Sequence, residues 1–216
     1  MTSSVPLDVS RVPSPSYVLE ETALRHNLAI FDRVQRESGA KIILALKGFA
    51  FWNVFPWVRE VLQGATASSL HEAKLAHEEF GRETHVYSVA YTDEEFPEIL
   101  GMADHLVFNS FSQWKRFRGQ VLASGRAVEC GIRVNPGYSE IKTPLHDPCY
   151  TGSRLGVLRS EFLPEELERW FMPGNSPVAS LSHFRPVLQL SETPPRWVRP
   201  TVLPGHDAPV WPLRHG

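Results

Sequence analysis

A chain of 216 residues, 42% hydrophobic and 21% charged, is long enough for one domain with a sizeable core and ordinary for a soluble globular protein. A formal net charge of -2 without a basic run argues against nucleic acid as the main partner. Two cysteines, Cys130 and Cys149, are too few for a disulfide framework, and neither stands in a metal-ligand spacing with histidine, so no metal site is expected. The start, Met1 to Pro15, is polar and contains proline, with no apolar run of the signal-peptide kind, and no stretch suggests a membrane span. The expectation is a cytoplasmic protein that handles a small molecule.

Residues 16 to 20, SYVLE, read as a lone strand, and Glu21 to Gly39 carries Leu24, Leu28, Ile30, Phe31 and Val34 at near-helical spacing. Next comes KIILALKGFA, a short apolar strand that delivers Lys47 at its carboxyl end just before a glycine. Partial desolvation there favours the free amine that condenses with an aldehyde, whereas a lysine that merely caps a strand reaches back to water. Val54, Trp57, Val58, Val61 and Leu62 mark an amphipathic helix with Pro56 early in it and Gly64 as its stop. Ala65 to Ser68 is a second strand, and Ser69 to Glu72 forms a capping box that opens a helix ending at Gly81.

The unit repeats. His85 to Tyr91 is the third strand, followed by the capping pattern Thr92 to Glu95 and a short helix that stops at Gly101. His105 to Asn109 is the fourth, and Ser110 starts a helix with Phe111, Trp114, Phe117, Val121 and Leu122 near one face. Ala127 to Val134 is the fifth, a polar loop runs from Asn135 to about Ser153, and residues 163 to 171 suggest one more helix. Alternating strands and helices imply parallel strands with right-handed crossovers, and no GxGxxG follows the first strand, which favours a barrel over a dinucleotide-binding sheet. In a barrel the chemistry sits at the carboxyl ends of the strands, where Lys47, Ser68, Asn109 and Arg133 fall.

From Pro173 onward the composition shifts: nine of the 18 prolines lie here, lysine is absent, and no strand-helix unit can be read. The expected organisation is an extension over residues 1 to 15, a partial barrel over 16 to 172 with about five of eight strands, and an irregular proline-rich tail over 173 to 216. The tail reads as a replacement for the second half of a barrel, of the kind a frameshift or alternative splicing leaves.

ALKGFA around Lys47, ASSLHE at 67 to 72, GIRVNP at 131 to 136, and DPC followed by SRLGV between 147 and 157 occur in the order and kind that resemble the carboxynorspermidine decarboxylase family. That family belongs to the ornithine and diaminopimelate decarboxylase group, and the resemblance covers residues 14 to about 168. It implies the α/β alanine-racemase-like TIM-type barrel that binds pyridoxal 5'-phosphate, a homodimer, and a place in polyamine (spermidine) biosynthesis. The reaction implied is a carboxy-lyase removing CO2 from carboxynorspermidine or carboxyspermidine.

The resemblance makes Lys47 the catalytic residue that carries the cofactor. It places Glu72, Arg133 and Ser68 around the cofactor, and Cys149 and Arg154 at the substrate. Each has a plainer reading from the residues alone. Glu72 can simply bond the backbone of Ser69 as part of the capping box, Ser68 can be a cap, and Arg133 can be a buried structural arginine paired with Glu72 or another acid. Cys149 and Arg154 can serve loop architecture. The family's later motifs, a histidine strand over the cofactor ring, a glycine-rich phosphate turn, an acid for the pyridine nitrogen and a β-domain, are not read in this sequence. The expectation is therefore impaired activity, with a non-catalytic fragment or a cofactor-buffering barrel as alternatives.

Overall fold

The computed structural model describes residues 8–143, 147–161, 163 and 185–188. Six parallel strands lie in sequence order in one sheet: β1 (Ile43–Ala45), β2 (Gly64–Ala67), β3 (Glu83–Tyr87), β4 (His105–Phe108), β5 (Glu129–Val134) and β6 (Arg185–Leu188). The helices are α1 (Glu21–Ser38), α2 (Phe55–Val58), α3 (Leu70–Lys74), α4 (Phe96–Met102) and α5 (Phe111–Ala123). Unbroken strand order with a crossover between each pair is the winding of a barrel, and among the described residues the sheet is open. No helix of the described residues is long and apolar enough to cross a membrane.

Local chemistry accounts for most element ends. Ser110 Oγ accepts the backbone N–H of Gln113 at 3.1 Å and starts α5, and Ser69 Oγ accepts that of Glu72 at 3.2 Å and starts α3. Gly39 closes α1 in the left-handed region at φ 71°, where a side chain would be strained. Residues 16 to 20 are not a strand. They are extended and pair with nothing in the sheet, and Glu20 instead caps α1, its carboxylate accepting the amides of Thr22 and Ala23 at 3.0 and 2.6 Å.

Two glycines expected as helix stops have other places. Gly101 lies inside α4, and Gly64 is the first residue of β2, where an added Cβ would stand 2.4 Å from the carbonyl oxygen of Glu83. Close approach of β2 to β3 is what requires glycine there. The helix expected over residues 54 to 62 shrinks to the single turn of α2 because the chain must reach that strand. α3 passes into a π-helical turn over Leu75–Phe80 before Gly81.

Alternate strand residues face the helices and form the core: Ala65, Ala67, Val86, Leu106, Phe108 and Ile132 are each at most 1% exposed. Against them Phe96 of α4 and Phe117 of α5 stack at 4.2 Å, and Phe108 meets Trp114 edge-on at 5.2 Å. The fifth strand matches the sequence reading, but β6 does not: the tail supplies a parallel strand where irregular chain is expected. β5 would otherwise present an open edge, and an edge partner can include Pro186 because its missing N–H is needed on one side only. The helix suggested for 163 to 171 lies outside the described residues.

Candidate active site at the carboxyl rim

The face of the sheet away from the helices carries the other half of each strand. The register pairs Ala45 with Thr66, Thr66 with His85, His85 with His105 and His105 with Glu129. Two residues further along stand Lys47, Ser68 and Tyr87, and one residue past the last registered pair of β4 and β5, Phe108 with Ile132, come Asn109 and Arg133. Register thus brings Lys47, Ser68, Tyr87, Asn109 and Arg133 to one rim, the rim where barrels of parallel strands do their chemistry.

The first cluster is the turn after β2. The Ser68 backbone N–H donates to Glu72 Oε2 at 2.6 Å, while Glu72's own N–H donates to Ser69 Oγ. The carboxylate therefore holds the amide one residue before the one a capping box would use, and it rigidifies the strand-to-helix turn beside Lys47. Lys47 itself sits in the turn that follows β1 and is exposed, and its side chain makes no hydrogen bond or ion pair among the described residues. The side chain is exposed, so the desolvation expected for it is not found.

The second cluster spans β3, β4 and β5. Arg133 is 9% exposed, and its Nη1 donates to the Tyr87 hydroxyl at 2.7 Å while the guanidinium stands 4.8 Å from that ring's centre. Among the described residues Arg133 pairs with no acid, Glu72 included: β3 and β4 separate β5 from β2, and the partner is a tyrosine. Tyr87 passes the bond on, its hydroxyl donating to Asn109 Oδ1 at 2.8 Å. Burial pushes the Tyr87 phenol up, against the pull of Arg133 and Arg154, so it stays a neutral donor.

Asn109 then ties the rim to the long loop. Its Oδ1 also accepts the Gly156 N–H at 2.8 Å, and its Nδ2 donates to the Arg154 carbonyl at 2.9 Å. Val157 returns alongside Val134, with its N–H on the Arg133 carbonyl and its carbonyl on the Asn135 N–H, both at 2.9 Å. The SRLG segment is thereby fastened over β5. The backbone of Arg154 is fixed while its guanidinium is exposed, which suits a side chain that meets an anion. Cys149 is half-buried in an Asp147 turn, its N–H donating to Asp147 Oδ1 at 2.8 Å, and burial followed by the Asp147 charge pushes its thiol up. It is a neutral thiol and part of the loop's architecture, poorly suited to act as a nucleophile.

Gly156 is the point of closest approach. At φ +79° it lies so near β5 that a Cβ would stand 3.0 Å from the Asn135 nitrogen and 3.1 Å from the Arg133 carbonyl oxygen. Gly156→Ala is expected to cost about 2 kcal/mol, from left-handed strain plus the clash. The check is a urea melt, in which a midpoint equal to wild type would show that the loop does not need this contact.

Tyr87 and the bridging role of Asn109 are the residues that reading the sequence missed. Their signal was available, since Tyr87 follows Glu83 and His85 at strand period two and Asn109 ends the next strand, but only the register shows that they meet.

No family model matches the chain. Carboxyaminopropylagmatine decarboxylase of Synechocystis sp. is 51% identical over 149 residues, which are 69% of this chain and 38% of that protein. Carboxynorspermidine/carboxyspermidine decarboxylase of Herminiimonas arsenicoxydans is 44% identical over 67% of this chain and 39% of its own length. The crystal structure of carboxynorspermidine decarboxylase from Campylobacter jejuni, complexed with norspermidine, superposes with a TM-score of 0.61 at 34% identity. It covers 81% of this chain and 41% of that one. The chain spans about two fifths of the length of the curated relatives it matches. Over most of its own length it is therefore homologous to the N-terminal part of the carboxynorspermidine and carboxyspermidine decarboxylases, enzymes of the alanine-racemase-like barrel fold.

Proposed function

We propose that this chain carries the lysine-bearing part of a pyridoxal 5'-phosphate-dependent decarboxylase acting on a carboxylated polyamine. The observation that carries the reading is Lys47: an exposed amine without a hydrogen-bonding or ionic partner among the described residues, on the rim that Arg133 shares. Two other lysines are engaged by acids, Lys41 with Glu83 at 2.6 Å and Lys74 with Glu98 at 2.7 Å. Lys47 fits the cofactor's aldehyde, which condenses with a primary amine.

Lys47 would hold the cofactor, with the Ser68–Glu72 turn beside it and Arg133 supplying positive charge farther along the rim. Pyridoxal phosphate supplies an electron sink for the electron pair left behind when CO2 departs. Glu72 fixes the turn on which Ser68 is presented. Tyr87 and Asn109 orient Arg133 and fasten the loop that presents Arg154, whose guanidinium suits the substrate carboxylate. The neighbouring Cys149 keeps the loop closed on itself through Asp147. The substrates named by the relatives share an α-amino acid end and a long amine chain, and the choice among carboxynorspermidine, carboxyspermidine and carboxyaminopropylagmatine rests with residues beyond this rim.

Because Lys47 is open to water, we expect slow turnover by this chain. With added pyridoxal phosphate, CO2 release from carboxynorspermidine should be slow, above that from diaminopimelate, and absent in Lys47→Ala. Release that is unchanged in Lys47→Ala, or faster from diaminopimelate, would overturn the reading. Cofactor capture at Lys47 without any CO2 release would favour a cofactor-buffering barrel instead.

A further inference from the structure

At the opposite ends of the same strands the inner face carries a second constellation, unrelated to the rim. Glu83 and His85 are two residues apart on β3 and so share a face, and the register sets His85 directly beside His105 of β4 and His105 beside Glu129 of β5. The two imidazoles lie parallel, 3.9 Å between centroids and 3° between planes. Glu83 Oε2 is 3.2 Å from His85 Nε2 and 3.8 Å from His105 Nε2. One ligand atom from each of the three residues falls within 4.8 Å of the other two.

Those separations are close to what a metal needs. Four ligands at about 2.1 Å around tetrahedral zinc stand about 3.4 Å from one another, so turning the two parallel rings until their Nε2 lone pairs converge beside Glu83 brings the three atoms to bonding distance. A further group points to a metal rather than to chance proximity. Glu129 Oε2 lies 3.2 Å from His105 Nδ1. A carboxylate there accepts the Nδ1 proton and leaves the Nε2 lone pair facing Glu83 and His85, the carboxylate–histidine–metal arrangement. Lys41 engages the other oxygen of Glu83, Oε1, at 2.6 Å and leaves Oε2 turned to the histidines. Its charge disfavours a cation, and two neutral imidazoles with two carboxylates outweigh it. All three ligand residues are only partly buried, so an ion can enter and a water can complete the shell.

We propose that Glu83, His85 and His105 bind one divalent transition metal ion, zinc being the type that two imidazoles and a carboxylate suit, with Glu129 as the residue that positions His105. Lying at the amino-terminal ends of the strands, away from the rim, the ion would clamp β3 to β4 and act on stability rather than on catalysis.

The experiment uses the whole chain, stripped with chelator. Co2+ added to wild type should give the d–d bands of a tetrahedral nitrogen and oxygen site that saturate at one equivalent. Competition with a chromophoric chelator should show Zn2+ affinity lowered at least tenfold in His85→Gln and in His105→Gln. Glu129→Gln should lower it by about 10- to 100-fold, and His71→Gln, an exposed histidine on α3, should leave it unchanged. Far-UV circular dichroism shows whether each variant is folded, and the wild-type Co2+ spectrum decides the matter if one is not. No tetrahedral bands at one equivalent, or wild-type affinity in His85→Gln and His105→Gln, would overturn the proposal.

Discussion

Phe108→Ala is expected to remove about 3–5 kcal/mol of folding free energy, the range found when a wholly buried phenylalanine is truncated. Phe108 is 0% exposed on the helix-facing side of β4. Its ring meets Trp114 edge-on at 5.2 Å and Tyr91 at 5.9 Å, and Phe96 lies at 6.3 Å. It is therefore the joint at which the sheet, α4 and α5 meet, and a void there has rigid aromatic walls that cannot collapse into it. A loss of this size is a large part of the roughly 5–15 kcal/mol that holds a typical domain together. Urea unfolding followed by tryptophan fluorescence measures it. Tyr138→Ala, at a side chain 60% exposed, should shift the midpoint little and serves as the control. A Phe108→Ala loss below about 1 kcal/mol would mean that this aromatic cluster is not the core.

The reason this fold can be read from its sequence is local. Serine or threonine three residues before the amide that its hydroxyl accepts, at Ser69, Thr92 and Ser110, is a short-range signal that the structure uses as written, and ECGIRV forms the strand its composition suggests, although it is buried on both faces. The losses come where tertiary demands outrank local ones. SYVLE has the composition of a strand, but a strand needs a neighbour, and Glu20 gains more by capping α1. Gly64 looks like a helix stop until the Glu83 carbonyl is placed 2.4 Å from where its Cβ would be. The segment RPVL lies in a proline-rich tail, yet the edge of β5 takes it as a partner.

The site divides in the same way. Lys47, Ser68 and Arg133 are legible as strand-end residues, and the turn chemistry of Glu72 is legible to within one residue of its partner. What no local pattern shows is who meets whom across strands. Arg133 paired with Tyr87 rather than with an acid, Asn109 joined to Gly156, and the juxtaposition of His85 with His105 all depend on register, which is set only when the sheet forms.

As the proposed cofactor lysine, Lys47 should give the largest functional effect of any single substitution when it is changed to alanine. The mutation removes no packing, since the side chain is exposed, so the variant should fold as wild type does. What it removes is the amine that the cofactor's aldehyde needs. The most direct measurement mixes the protein with pyridoxal phosphate, reduces it with borohydride and locates the pyridoxyl group by peptide mass spectrometry. The account predicts a label on Lys47 that is lost in Lys47→Ala without appearing elsewhere. A label spread evenly over Lys41, Lys74, Lys115 and Lys142, with Lys47→Ala taking up as much as wild type, would contradict it.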